Sequence, residues 1–319
     1  MIDLIIPVYK NLKGLRRTLD SINYSVFKVT IVEDGTNEVH GLPHNIKVFK
    51  LKKNVGPGQA RQYGIDNTFN DYIMFIDAGD VFLSKDIQKS IESIINLNPQ
   101  ENIFSWLYYY KDELTSHIDN RLHGKIYKRK FLHKYDIVFS QAGSYLDEDI
   151  GFNRTCRIIS NYIHKPFYCI DRPVIQWMTE EDSITQKDNN RSLYEKQSSA
   201  LSINSMHCIS CCRKNNIPEN YIRAEINEIA GALYYWFIRT AAERPEYLNE
   251  AWKGARLFYT RYEKEIDIST IFVGSARLKK CLQYRDKINF RINIIRFARD
   301  ILIFKEVPPY YLTKSKIMI

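Results

Sequence analysis

Between Ile2 and Asp77 four short apolar runs, "IDLIIPVY", "FKVTIVEDG", "NIKVFKL" and "DYIMFID", alternate with amphipathic stretches. Each run has strand length and is rich in β-branched or aromatic residues. The stretch after the first carries Leu12, Leu15, Leu19 and Ile22 at helical spacing, and the stretch after the third begins with Pro57 and Gly58 and continues helically to Phe69. Strands separated by helices on short connections form βαβ units, whose strands lie parallel and are buried on both faces. The pattern predicts an α/β fold with a mostly parallel, Rossmann-like sheet flanked by helices.

Further along, Ser84 to Asn96 reads as a helix with Ile87, Ile91, Ile94 and Ile95 facing inward, followed by an aromatic strand, "NIFSWLYYY". A polar stretch (111–123) leads to "HGKIYKRKFL", read as a turn running into a short helix. "YLDEDIGFNRTCRIISNYI" reads as an acidic turn and a helix, and "PFYCIDRPVIQW" as strand. From about residue 188 the pattern is helical throughout. Pro218 stands where a helix begins, Ile222, Ile226, Ile229, Leu233, Trp236 and Phe237 follow with helical spacing, and further helices are predicted over 246–264, 276–288 and 290–304. The expected division is an α/β domain over 1–187 and an all-helical C-terminal region over 188–319.

With 319 residues, 45% hydrophobic and 26% charged, the chain has the composition of a globular protein able to bury a sizeable core. No stretch approaches the roughly 20 apolar residues of a membrane span, and the N-terminus enters a strand-like run at once, so a cytoplasmic location is expected. Six cysteines at irregular spacing do not suggest a disulfide framework. In "HCISCC", Cys208, Cys211 and Cys212 share one helical face, which points to core packing, since a structural zinc site needs four well-spaced ligands. The net charge of +9 is concentrated in the tail: between Ala276 and Ile319 stand 11 Lys/Arg against 3 Asp/Glu.

In an open parallel sheet, ligands bind outside the carboxyl ends of the strands. Pro7 and Tyr9 follow the first strand, Glu33, Asp34 and Gly35 the second, Asn54 to Arg61 the third, and Asp77 to Asp80 the fourth. For a nucleotide with a diphosphate, an aspartate in a βα turn accepts from base or ribose, and a tyrosine ring offers a stacking face. A glycine-rich turn admits close backbone approach, and an arginine fork suits phosphate. Two carboxylates beside a diphosphate suit Mn²⁺ or Mg²⁺. Taken singly, "EDGT", "GPG" and "DAGD" are also good turns or caps; their order at successive strand ends is the stronger signal.

The segments "IIPVYKN", "VTIVEDGT", "NVGPGQARQYGID" and "YIMFIDAGD", with "HGKIYKRKFL", "YLDEDIGF" and "DSIT", resemble the successive motifs of family-2 glycosyltransferases, nucleotide-sugar enzymes with a GT-A fold. The resemblance covers residue 1 to about 186 and implies an inverting sugar transfer from a nucleoside-diphosphate donor, a UDP-sugar by preference, to an acceptor hydroxyl. Pro7, Tyr9, Glu33, Asp34 and Arg61 would line the donor pocket, with His123 and Lys125 near its phosphates or the acceptor. Asp77 stands at the first position of the family's Asp-x-Asp signature. The second position is Gly79 here, so Asp80, the next carboxylate, joins Asp77 as the expected metal ligand. Glu148 and Asp149 match the family's Glu-Asp motif, with Asp149 expected as the base and Glu148 second to it. Their alternative role is a helix start favoured by the dipole.

The helical remainder carries no family match. "FRINIIRFARDILIF" places Ile294, Phe297, Ile301 and Phe304 on one stripe, with Arg291, Arg296 and Arg299 around it. Three readings compete: a solvated basic helix, a peripheral membrane contact reaching a glycan acceptor, or a nucleic-acid contact serving transfer to a hydroxymethylated base in DNA. Other functional classes are a nucleotidyltransferase, for which "PVYKNLKG" is a poor pyrophosphate loop, and a non-catalytic nucleotide-sugar-binding protein.

Overall fold

A computed structural model describes residues 1–117, 121–142, 146–178, 191–271, 276–288 and 293–312. The chain divides into two compact units, Met1–Glu181 and Asp182–Ile319.

The first unit is built on one sheet. Its elements run β1 (Ile2–Val8), α1 (Leu12–Ser21), β2 (Phe27–Glu33), β3 (Lys47–Lys50), α2 (Pro57–Asp66), β4 (Tyr72–Phe75), β5 (Val81–Phe82), α3 (Lys85–Leu97) and β6 (Ile103–Tyr110). They continue with β7 (Glu113–Leu114), β8 (Lys125–Lys128), α4 (Arg129–Lys134), α5 (Glu148–Tyr162) and β9 (Tyr168–Trp177). The sheet order is β3-β2-β1-β4-β8-β6-β9-β5, with β7 paired to β6 outside that path.

Strands β3, β2, β1 and β4 are parallel, as the βαβ pattern predicts. Beyond β4 the sheet is mixed: β8 runs antiparallel to both β4 and β6, and β9 runs parallel to β6. All seven residues of β1 are buried, as a central strand covered on both faces requires. The segment "KIYK", expected to lie in a turn, is the strand β8, and the predicted short helix follows it as α4.

Helix starts follow local chemistry. Asn11 caps α1 by accepting from the Gly14 amide at 2.9 Å, and Ser84 caps α3 by accepting from Ile87 at 3.1 Å. Each such cap contributes about 1 kcal/mol. Pro57 occupies the first turn of α2, where its missing N–H costs nothing. The buried Asp3 of β1 receives Arg129 Nη2 and the Asn70 amide, both at 2.8 Å, so the start of α4 is tied to the sheet centre.

The second unit is helical: α6 (Arg191–Lys214), α7 (Glu219–Glu243), α8 (Leu248–Arg261), α9 (Ala276–Leu282), α10 (Ile294–Ile303) and α11 (Pro309–Leu312). Trp252, Phe237, Phe297 and Tyr311 form its aromatic centre, with ring centroids 4.8 to 5.7 Å apart. Cys208, Cys211 and Cys212 are buried and form no disulfide, consistent with core packing. Of the predicted stripe on α10, Phe297 and Ile301 are buried, whereas Phe304, just past the helix, is exposed. Arg291 and the "DSIT" motif lie outside the described residues. Among the described residues no helix is long and apolar enough to cross a membrane.

Candidate active site

The turn after β4 carries the first acids. Gly79 adopts φ +124°, a conformation that L side chains rarely enter, and α1 grips the turn around it. Thr18 Oγ1 accepts from the Gly79 amide at 2.9 Å and donates to the Asp80 carbonyl at 2.7 Å. Arg17 Nε donates to the Gly79 carbonyl at 3.1 Å, and Asn11 Nδ2 to that of Ala78 at 2.8 Å. A second aspartate is therefore replaced by glycine for a backbone reason. The turn sends Asp77 outward, its side chain 44% exposed, and Asp80 inward at 3%.

Asp80 is held from two distant places. Its Oδ1 accepts from the Met178 amide at 2.9 Å, at the end of β9, and its Oδ2 lies 3.0 Å from His123 Nε2. The same nitrogen is 4.0 Å from Asp77 Oδ2. His123 packs against two aromatic rings, Tyr108 at 5.1 Å and Trp177 at 4.7 Å between centroids. Burial opposes protonation of this imidazole, but the Asp80 hydrogen bond and the charges of Asp80, Asp77 and Asp149 outweigh it and raise its pKa.

Asp77, Asp80 and His123 each offer a ligand atom within 4.8 Å of the others. Two carboxylate oxygens and one imidazole nitrogen form a donor set that suits Mn²⁺ well, and Mg²⁺ less, because Mg²⁺ favours oxygen alone. His123 Nδ1 is buried without a hydrogen-bond partner, so the ring's polar contact points toward the two acids. The residues present fit a divalent cation.

Arg61 connects this group to α5. From α2 it donates Nη2 to Asp77 Oδ1 at 2.5 Å and Nη1 to Glu148 Oε1 at 2.7 Å. Burial works against its charge, yet Asp77, Glu148 and Asp149 together hold its pKa above the ordinary arginine value. The same guanidinium, with His123, overcomes the effect of burial on Asp77 and lowers its pKa. Glu148 is pushed up to about 8 by burial and by the neighbouring Asp149 charge, against the pull of Arg61. Asp149 is raised chiefly by burial. Its Oδ1 accepts from the Ile150 amide at 2.8 Å in the first turn of α5, and the residue keeps partial solvent exposure, unlike Glu148.

The remaining predicted residues divide into two groups. Pro7 is buried and Tyr9 presents a ring that is 43% exposed. Asp34 accepts from the amides of Val55 at 2.7 Å and Gly56 at 2.9 Å, and so fixes the glycine-rich turn that opens α2. Gly35, at φ +80°, lets that turn approach: a Cβ there would stand 2.4 Å from the Asn54 nitrogen. Two further predicted residues have partners of their own. Glu33 is fully buried, and its Oε1 accepts from the Thr36 hydroxyl and the amides of Glu38 and Val39 within its own loop. Lys125 is buried and donates to the Arg121 carbonyl at 2.6 Å.

Trp177, Arg121, Tyr108 and the Met178 amide were missed in the sequence. Arg121 lies 4.4 Å over the Trp177 ring and 5.5 Å over Tyr110. A tryptophan ending a strand was the available signal, but nothing local linked it to His123.

Residues 3–148 match the family model described as Glycosyl transferase family 2. An uncharacterized glycosyltransferase of Rickettsia conorii is 33% identical over 122 residues, which cover 34% of this chain and 19% of that protein. The chain thus spans about a fifth of the length of such curated relatives. Among solved structures, S. aureus TarS 1-349 in complex with UDP aligns with a TM-score of 0.51 at 15% identity, covering 92% of this chain and 93% of TarS 1-349. The mannosyltransferase PcManGT from Pyrobaculum calidifontis, in complex with GDP-Man and Mn²⁺, aligns with a TM-score of 0.50 at 12% identity, covering 98% and 83%. At these identities the likeness is one of fold, the GT-A type.

Proposed function

Residues 3–148 of this chain are a family-2 glycosyltransferase domain, and from that premise we propose that the protein is an inverting glycosyltransferase. It would move a sugar from a nucleoside diphosphate, a UDP-sugar by preference, to a hydroxyl of a glycan acceptor. The observation that carries this reading is the acidic group at the carboxyl end of β4. Asp77, Asp80, Glu148 and Asp149 gather around Arg61 and His123, and Arg121 also acts on Asp149. Asp77, Asp80 and His123 bring one ligand atom each within 4.8 Å of the others, a spacing and donor set that a divalent cation matches.

In this reading Asp77, Asp80 and His123 would hold Mn²⁺ or Mg²⁺. When bound, such an ion offers positive charge to a departing diphosphate. The exposed ring of Tyr9 stacks on the nucleobase beside Pro7, and Asp34 keeps the glycine-rich turn in place beneath the donor. Asp149 takes the proton from the acceptor hydroxyl as that oxygen attacks the anomeric carbon from the face opposite the diphosphate. Its raised pKa makes it a stronger base than an ordinary aspartate, and its partial exposure gives an acceptor access. Glu148, held by Arg61, positions the start of α5. Glu33 acts further back, shaping the loop after β2.

The test is incubation of the full chain with radiolabelled UDP- and GDP-sugars, with and without Mn²⁺. Cation-dependent release of nucleoside diphosphate is expected. Asp149→Asn should lower turnover about 10²- to 10⁴-fold while nucleotide affinity is retained. Failure to bind any nucleotide sugar would remove the whole reading. Undiminished cation dependence in Asp77→Ala would remove the metal assignment.

A further inference from the structure

In the helical unit, α8 buries Leu248, Ala251, Trp252, Ala255, Phe258 and Tyr259 and turns its other face outward. That outer face carries Lys253, Arg256, Leu257, Thr260 and Arg261, spaced i, i+3, i+4, i+7, i+8, and these five line an open cleft of about 640 Å³. Among the described residues the lining holds three cations and no carboxylate.

Arg256 also fixes what lies beside the cleft. Its Nη1 donates to the carbonyls of Leu302 at 2.9 Å and Phe304 at 3.3 Å, satisfying the C-terminus of α10, and Trp252 Nε1 adds a bond to Phe304 at 3.2 Å. The end of α10 is thereby pinned against α8. There Ile303 is 62% exposed and Phe304 42%, with Lys305 following, and on α8 Leu257, the residue after Arg256, is 48% exposed.

Single exposed apolar residues are ordinary, but three large ones beside Arg256 or the carbonyls it binds, on segments that also carry Lys253, Arg261 and Lys305, need a partner that is both apolar and anionic. Nucleic acid would use the cations and leave the apolar groups idle. A second copy would bring the same positive surplus, since the last 44 residues carry 11 Lys/Arg against 3 Asp/Glu. We infer that this face of the helical unit docks on an anionic lipid bilayer. Leu257, Ile303 and Phe304 enter the headgroup boundary, and Lys253, Arg261 and Lys305 meet lipid phosphates. The contact is peripheral, in keeping with the lack of a membrane-crossing helix among the described residues.

The proposal stands apart from the enzymatic reading and is tested on the full chain by sedimentation with phosphatidylcholine vesicles, with and without phosphatidylglycerol. Pelleting that requires phosphatidylglycerol is expected. Each basic residue near such a surface is worth roughly fivefold in partition, so Lys253→Glu combined with Arg261→Glu should weaken binding more than tenfold. Ile303→Asp, which leaves every cation in place, should weaken it about tenfold. In the unaltered chain, hydrogen exchange should slow over 253–261 and 301–305 when the vesicles are added. Absence of pelleting, pelleting indifferent to Ile303→Asp, slowing confined to other segments, or retention on DNA without vesicle binding would each overturn it. Nucleotide-sugar turnover in solution, measured on the same variants, should be unchanged, so the two proposals fail separately.

Discussion

His123 and Asp80 stand 43 positions apart in the chain and meet with Nε2 3.0 Å from Oδ2, the imidazole closing the gap between Asp80 and Asp77. The ring reaches this place because Tyr108 and Trp177 pack on it and the Met178 amide holds the far oxygen of Asp80. If these three side chains share a divalent cation, His123→Ala removes one ligand and leaves the carboxylates. The Mn²⁺ concentration for half-maximal turnover should then rise at least tenfold. Trp177→Ala, which touches no ligand atom but frees the ring, should give a smaller rise in the same direction. A metal titration with equal requirement in all three proteins would contradict the assignment.

Gly79 occupies the place where the family spells its second aspartate, and its φ of +124° explains the exchange. A side chain there costs about 1 to 3 kcal/mol of backbone strain. Gly79→Asp restores the family spelling and should lower Tm by roughly 2 to 10 °C without raising activity. A variant with unchanged Tm and higher turnover would show that the turn, rather than the second acid, is dispensable.

The parallel half of the sheet was legible because four apolar runs and the intervening helical periods repeat within a short span, and local pattern decides such units. β8 was not, since "KIYK" is four residues with a cation at each end, and its strand state exists only through pairing with β4 and β6. The same division holds in the site. Asp77, Asp80, Arg61, Glu148 and Asp149 announce themselves as charged groups at strand ends or helix starts. What each one touches depends on partners far away in sequence: Met178 lies 98 positions from Asp80, and Glu148 lies 87 from Arg61. Glu33 and Lys125 have the right chemistry for a phosphate or ribose contact, and the backbone partner each has nearby depends on the loop fold rather than on the residue type.

Asp3 and Arg129 form a buried pair that joins β1 to α4 and carries no catalytic role. Asp3 also accepts from Asn70, while Arg129 donates to the carbonyls of Ile65 at 2.6 Å and Asn70 at 2.7 Å. Asp3→Ala leaves a guanidinium without its counter-ion in the interior and should cost about 3 to 5 kcal/mol in urea unfolding. Removing both charges in Asp3→Ala with Arg129→Met should cost less than the two single changes added together. Strict additivity would mean that the pair does not act as a unit.

The pH dependence of stability follows from the same acids. Glu148 is raised to about 8 in the folded chain from an ordinary value near 4.5, by burial and the Asp149 charge. Between those two pH values the folded state holds a proton that the unfolded state has released, so stability falls as pH rises and levels off above the folded value. His123 is also raised, by its Asp80 bond and the nearby carboxylates against burial; its contribution is full below the unfolded histidine value and is lost as pH passes the folded one. Asp149, raised chiefly by burial, acts in the same sense as Glu148. Asp77 is lowered by Arg61 and His123 against burial, so its contribution is lost only in acid, below this window. Thermal melts of the cation-free chain should therefore show Tm declining from about pH 5 to pH 8. Glu148→Gln, which keeps the shape and removes the ionisation, should flatten that decline. A Tm that climbs over this range would mean that Arg61 keeps Glu148 ionised throughout.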